Sequence, residues 1–274
     1  MSAAAEPIAE LRRATLRFGE RTLWRRMDIS IRPSEFLAVL GPNGVGKSSL
    51  LQVLLGVNQL SAGSARVAGE PVRRGNSLIG YIPQQKAFDA HLPLRGTDLV
   101  GLGLDGQRWG LPTVAPGARM RIARAIQRVG AERYADRPIG KLSGGEQQRL
   151  RIAQALVGEP RLLLCDEPLL SLDVASQHTI SSLLDNERRR GAAVVFVTHE
   201  INPVLPYVDC VLYIVGGKWK LGTPDEVLTS SVLTQLYGTP VEVLRARGRI
   251  IVVSDALPTE PTDAHHHLQN GAVR

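Results

Sequence analysis

The sequence predicts an α/β fold: a parallel sheet with crossover helices, and a helical lobe set into it. Three observations carry that expectation. Apolar, strand-like runs at residues 36–40, 161–165, 192–197 and 208–215 alternate with helical periods at residues 48–57 and 174–189; strands alternating with helices pair in parallel through crossovers. Leu40 runs straight into the stretch Gly41-Pro42-Asn43-Gly44-Val45-Gly46, which precedes the first of those helices. From about residue 84 to residue 160 the spacing turns helical, interrupted by loops such as residues 110–117.

The remaining elements follow in chain order. Residues 9–11, 15–18 and 27–31 read as strands, because short apolar alternations are cut by turns. Residues 64–82 return to strand and turn, with Gly69, Gly75 and Gly80 as breaks. Residues 119–129 should form an amphipathic helix with Met120, Ile122, Ala123 and Ile126 on one side. Thr223 is placed to cap a helix over residues 224–236. Residues 241–244 and 249–253 read as a hairpin turned at Arg247-Gly248. Residues 254–274, rich in proline, histidine and alanine, are expected to be a disordered tail.

Composition narrows the class. With 274 residues, 43% hydrophobic and 22% charged, the chain has material for a large buried core, so global disorder is excluded. Runs such as residues 192–197 and 211–215 fall far short of the roughly 20 apolar residues a spanning helix needs. Residues 1–13 hold no apolar stretch behind a positive cap, so no signal peptide is expected. Two cysteines, Cys165 and Cys210, cannot build a disulfide framework and fit a reduced compartment. The net charge of +7 is scattered, and only 4% of residues are aromatic. Few stacking platforms are therefore available, and no nucleic acid partner is expected.

The chemistry concentrates in three segments. Gly41-Pro42-Asn43-Gly44-Val45-Gly46-Lys47-Ser48 is a full phosphate-loop pattern between a strand and a helix. Its glycines let successive N–H groups and the helix N-terminus point at an anion. Lys47 would reach the β- and γ-phosphates of a nucleotide, and the Ser48 hydroxyl would hold Mg²⁺. Leu162-Leu163-Leu164-Cys165 delivers Asp166 and Glu167 at a strand end. Asp166 would stand next to the magnesium, and Glu167, one residue on, could polarise an attacking water. The acidic pair could instead cap the next helix; its company with the phosphate loop favours the chemical role. Leu142-Ser143-Gly144-Gly145-Glu146 opens another helix.

With the third segment the sequence resembles the ATP-binding-cassette (ABC) ATPases over roughly residues 8–253. Phosphate loop, Leu142-to-Glu146 signature and Asp-Glu pair occur in that family's order. The resemblance implies a phosphate-loop NTPase fold of the ABC type: a mixed or parallel sheet core, an N-terminal antiparallel β subdomain and an inserted helical subdomain. It implies one ATPase domain over residues 1–253, with the helical subdomain at about 84–160 and a C-terminal helix and hairpin at about 223–253. Phe18 matches the aromatic that stacks on adenine, although core packing is its ordinary alternative, and Ser49 completes the loop. Gln84 matches the glutamine that touches magnesium and the attacking water. Ser171-Leu172-Asp173 matches the dimer-interface loop, and His199 the histidine on the γ-phosphate. The signature serves the opposite subunit's nucleotide, which implies a head-to-tail homodimer with two shared ATP sites.

The same resemblance implies ATP and Mg²⁺ as ligands and integral membrane permease subunits as partners. It also implies an extracytoplasmic substrate-binding protein as an indirect partner, and a peripheral place on the cytoplasmic face of the membrane. Phe88, Leu92 and Leu94 are candidates for the groove that receives the permease, with core packing as the alternative. Residues 198–209 and 236–241 are similar to zinc- and manganese-type importer ATPases, so metal import is the expected work. His265-His266-His267 could bind a metal weakly or be solvated tail. An importer of iron chelates or another small nutrient is the alternative. A cassette acting on nucleic acid or ribosomes would usually carry coiled-coil inserts or two cassettes, and a simple kinase would leave the signature unexplained.

Overall fold

The computed structural model describes residues 6–84, 88–105 and 117–254. The chain opens with β1 (Ala9–Phe18) and β2 (Arg21–Ile31), which pair antiparallel. β1 is continuous where the sequence suggested two short strands. The alternation breaks because the ladder slips between Leu11 and Ala14, with Arg13 at φ 44. A second irregularity has Arg26 at φ 45, which hid the first half of β2 from the period-2 pattern. β4 (Ala62–Val67) and β5 (Glu70–Pro71) complete a four-stranded sheet in the order β2-β1-β4-β5.

The second sheet has the order β10-β9-β3-β8-β7-β6. Its members are β3 (Phe36–Leu40), β6 (Ile79–Ile82), β7 (Leu162–Asp166), β8 (Ala193–Val197), β9 (Cys210–Val215) and β10 (Lys218–Gly222). All pairings are parallel except β9 with β10. β3, β7 and β8 are buried along their whole length. Alternate residues face two different cores: Ala38, Cys165 and Phe196 join one, Val39, Leu164 and Val195 the other. A strand covered on both faces must be apolar throughout, which is why these runs were so legible.

The second of those cores lies against the antiparallel sheet and α1 (Lys47–Leu54), and Trp24 is fully buried within it. The first lies on the opposite face, against α5 (Val174–Arg189) and the helices between β6 and β7. Those helices are α2 (Gly96–Asp105), α3 (Ala118–Arg128) and α4 (Gly144–Leu156). On α3 the buried side is Ala118, Ala125 and Ile126 with Ile122 half-buried, whereas Met120 and Ala123 are exposed. The expected apolar face was therefore out of phase at two of its four members. Phe88, Leu92 and Leu94 pack against the same core as partly buried side chains, with the Arg151 guanidinium 4.3 Å above the Phe88 ring.

The expected C-terminal helix is two, α6 (Pro224–Val227) and α7 (Ser230–Tyr237). Thr223 and Thr229 each cap a start, and the second cap restarts the chain in a new direction. β11 (Val241–Ala246) and β12 (Arg249–Ser254) form the hairpin, with Arg247 and Gly248 both at positive φ. Among the described residues no helix is long and apolar enough to cross a membrane. Of the expected tail, residues 254–274, Ser254 is the last residue of β12; the rest, with His265-His266-His267, lies outside the described residues, as do most of residues 110–117.

Candidate active site

The phosphate loop joins β3 to α1. Gly41 takes φ 141, and a Cβ there would lie 2.1 Å from the Ile214 carbonyl oxygen. Gly46 takes φ 100, and its Cβ would meet Leu23 at 2.9 Å. Gly41 thus demands glycine through backbone angle and through space, and Gly46 through its backbone angle, with Leu23 crowding it. Lys47 is 5% exposed and donates to the Gly41 and Pro42 carbonyls, both at 2.8 Å. Burial pulls its ammonium below the ordinary lysine range, against the opposing pull of Glu167 and Asp166. A cavity of about 190 Å³ opens over the loop, lined by Leu23, Asn43, Gly44, Gly46, Lys47, Ser48, Ser49 and Glu167. Val45 packs against the core as a partly buried side chain.

β7 brings the carboxylates to the same mouth. Ser48 Oγ donates to Asp166 Oδ1 at 2.9 Å across 118 residues of sequence. Asp166 is 8% exposed; burial pushes its carboxyl above the ordinary range, and the Ser48 hydrogen bond pulls it partly back. Tyr81 on β6 stands beside it, its phenol pushed up to about 12 by burial and by the Asp166 charge. A desolvated anion touching the Ser48 hydroxyl, with the desolvated ammonium of Lys47 on the preceding residue, suits a small hard cation beside a polyphosphate. The donor set therefore fits Mg²⁺.

Glu167 has φ 46, and its N–H donates to the Val197 carbonyl at 3.0 Å. That left-handed backbone in a non-glycine residue is held by the adjoining strand. It turns the side chain off the axis of β7. One carboxylate oxygen accepts from Gln84 Nε2 at 3.1 Å, and the other contacts His199 Nε2. Gln84 follows the end of β6 and His199 follows the end of β8, so three parallel strands deliver these groups to one edge of the sheet. A cleft of about 290 Å³ on this side includes Glu167, Ser171, Thr198 and His199.

The signature stands apart from that cluster. Ser143 caps α4: its Oγ accepts from the Glu146 N–H at 3.3 Å, and a Glu146 carboxylate oxygen accepts from the Ser143 N–H at 2.8 Å. Leu142 anchors the segment in the core at 5% exposure. A Cβ on Gly145 would meet Ser176 Oγ at 2.6 Å, so the signature abuts the start of α5 directly after Ser171-Leu172-Asp173. Leu172 is buried, and Ser171 has φ 61. Asp173 caps α5 by accepting from the Ser176 N–H at 2.9 Å and its hydroxyl at 2.7 Å, which holds the carboxyl below its usual range. Neither the signature nor Asp173 lines the phosphate-loop cavity of its own chain.

Phe18 is 50% exposed at the end of β1, so it is no core side chain. Its cross-strand partner Arg21 donates to the Gly44 carbonyl at 2.9 Å, which ties the β1–β2 turn to the phosphate loop. Arg21 and Tyr81 were not picked out from the sequence. Arg21 is one of many scattered arginines, and Tyr81 lies in a strand ladder; neither had a local signal. Cys165 is wholly buried and burial pushes its thiol far up, so it packs and does not react.

The family model described as ABC transporter matches residues 24–170. The zinc import ATP-binding protein ZnuC of Yersinia enterocolitica is 35% identical, over 84% of this chain and 85% of its own length. The manganese transport system ATP-binding protein MntB of Halalkalibacterium halodurans is 29% identical, over 90% of this chain and 99% of its own. Among solved structures, an inward-facing ABC transporter described as of the metal-chelate type superposes with a TM-score of 0.76 at 26% identity, covering 90% of this chain and 96% of that one. A dimeric ATP-binding cassette holding ADP and Pi superposes with a TM-score of 0.65 at 26% identity, covering 78% of this chain and 98% of that one.

Proposed function

The chain belongs to the ABC transporter family, and from that premise we propose that it binds and hydrolyses ATP to drive import of zinc or manganese through a separate membrane permease. Residues 1–253 are read as one ATPase domain. Two copies would close head to tail, each signature (Leu142, Ser143, Gly144, Gly145, Glu146) facing the partner's nucleotide and each Ser171-Leu172-Asp173 loop lying at the seam. The chain would work at the cytoplasmic face of the membrane, with an extracytoplasmic substrate-binding protein feeding the permease. The relatives named for zinc import and manganese transport support the cargo.

The observation that carries the ATPase reading is the meeting of Lys47, the Ser48–Asp166 pair and the Gln84–Glu167–His199 cluster at one edge of the sheet. The backbone N–H groups of Asn43 to Ser49 bind the phosphates, and Lys47 leaves its loop carbonyls for the β- and γ-phosphate oxygens. Ser48, Asp166 and Gln84 would hold Mg²⁺. Once bound, that ion neutralises phosphate charge and aligns the phosphates. Glu167 orients a water for attack on the γ-phosphorus and takes up its proton as the bond to the bridging oxygen breaks. His199 donates to a γ-phosphate oxygen. Phe18, exposed beside the loop, offers a face for the adenine ring.

The test is the elemental content of cells in which Glu167→Gln replaces the native chain, grown under metal limitation. A selective fall in zinc or manganese is expected. Unchanged zinc, manganese and iron would overturn the metal reading while leaving the ATPase reading intact.

A further inference from the structure

The turn that carries His199 is fixed at both ends. On the near side, Thr198 continues β8: its N–H donates to the Val39 carbonyl at 3.2 Å. Its hydroxyl accepts from the Glu200 N–H at 3.1 Å and donates to the Glu200 carbonyl at 2.8 Å. On the far side, the Asn202 side chain pairs with β12 in both directions. Asn202 Nδ2 donates to the Ile250 carbonyl at 2.9 Å, and the Ile250 N–H donates to Asn202 Oδ1 at 2.8 Å. A primary amide used this way reproduces a strand partner, and two opposed hydrogen bonds fix position and direction together.

The other strand of that hairpin is held elsewhere. The Val241 N–H donates to Thr234 Oγ1 at 3.0 Å and the Val243 N–H to Ser230 Oγ at 2.9 Å, both on α7. The hairpin is thus a brace: β11 grips α7, and β12 grips the histidine turn. Between the brace and the phosphate loop lies a cavity of about 410 Å³, whose lining includes Gly41, Pro42, His199 and Ile250. The His199 side chain is 40% exposed, so packing does little to hold it. Its place against Glu167 depends on the backbone of its turn.

We propose that Asn202 is a positioning residue for ATP hydrolysis: its amide, locked onto Ile250 of β12, holds the turn so that the His199 imidazole stays against Glu167. This rests on the reading above that Glu167 and His199 carry hydrolysis. The C-terminal hairpin then becomes part of the catalytic apparatus although none of its residues touches the reacting atoms.

The experiment is Asn202→Ala in the purified full chain, with ATP turnover and nucleotide affinity measured separately and Glu167→Gln and His199→Ala run beside it. A loss of about tenfold or more in kcat is expected, since small displacements of a catalytic group cost that much. Nucleotide affinity should stay within about twofold, because no phosphate-binding group is touched. Turnover within about twofold of wild type, or turnover and affinity falling together, would overturn the proposal. Should Asn202→Ala fold poorly by its melting temperature, Asn202→Asp is read by the same split. It keeps an acceptor for the Ile250 N–H and loses the donor to the Ile250 carbonyl. Near-wild-type turnover in Glu167→Gln and His199→Ala would instead refute the underlying reading of the reaction.

Discussion

Gln84 Nε2 donates to Glu167 Oε2 at 3.1 Å, joining the end of β6 to the end of β7 across 83 residues of sequence. Gln84 stands two residues past the end of β6, on the connection that runs towards α2, α3 and α4. A displacement of Gln84 removes a hydrogen bond from the Glu167 carboxylate. Gln84→Ala should therefore cut ATP turnover about ten- to a hundredfold with nucleotide affinity nearly unchanged, as read from initial rates and a fluorescent nucleotide titration.

Lys47 is held by the Gly41 and Pro42 carbonyls and by burial, with its charge poorly solvated. A phosphate oxygen is a better partner than either carbonyl, since both donor and acceptor are then charged. Lys47→Ala should weaken ATP binding by roughly ten- to a hundredfold, the loss of one hydrogen bond to a charged group. Calorimetry with ATP measures it; an unchanged affinity would remove Lys47 from the site.

Asp166 is a buried carboxylate whose ionised form burial disfavours. Its carboxyl lies above the ordinary range because burial disfavours the ion, and Ser48 offsets only part of that. Asp166→Asn keeps an oxygen for the Ser48 hydroxyl and removes the charge. The variant should gain on the order of 1 kcal/mol in the nucleotide-free state while losing turnover, a trade common where function requires a strained site. A raised carboxylate pKa destabilises the fold at pH above it. The gain should therefore be present at neutral pH and vanish as pH falls through the native carboxyl's raised pKa towards about 4, where the aspartate is protonated too. Thermal melts at several pH values show which holds.

Gly41 offers a test of geometry alone. A methyl group there would sit 2.1 Å from the Ile214 carbonyl oxygen, a backbone atom that cannot swing aside, at a φ of 141. Gly41→Ala should cost several kcal/mol or fail to fold, in the range of overpacked or strained core positions. Denaturant unfolding measures the loss. A wild-type midpoint would mean that the loop relaxes freely.

Sequence and structure agree best where one physical requirement acts alone. β3, β7 and β8 were readable because burial on both faces leaves no room for polar residues. The phosphate loop was readable because backbone angle excludes side chains at Gly41 and Gly46, and space excludes them at Gly41 as well. Elsewhere two requirements compete. The slips at Arg13 and Arg26 interrupt the alternation of β1 and β2, which made long strands look short. β10 was overlooked, although Gly216-Gly217 between residues 211–215 and 218–221 carries the pattern of a two-residue hairpin turn. On α3, Met120 is apolar yet exposed, so composition misled where geometry decides. The Gln84–Glu167–His199 cluster joins three strand ends, and no local pattern reveals such a meeting; only the resemblance to a known family pointed to it.

In the proposed function, Glu167 breaks down ATP shared between two copies of the chain. Its most direct test is Glu167→Gln, loaded with ATP and Mg²⁺ and followed by sedimentation together with single-turnover hydrolysis. A stable dimer that retains intact ATP, with turnover reduced at least about a hundredfold, is the predicted result. An ATP-loaded monomer, or hydrolysis at the wild-type rate, would contradict it.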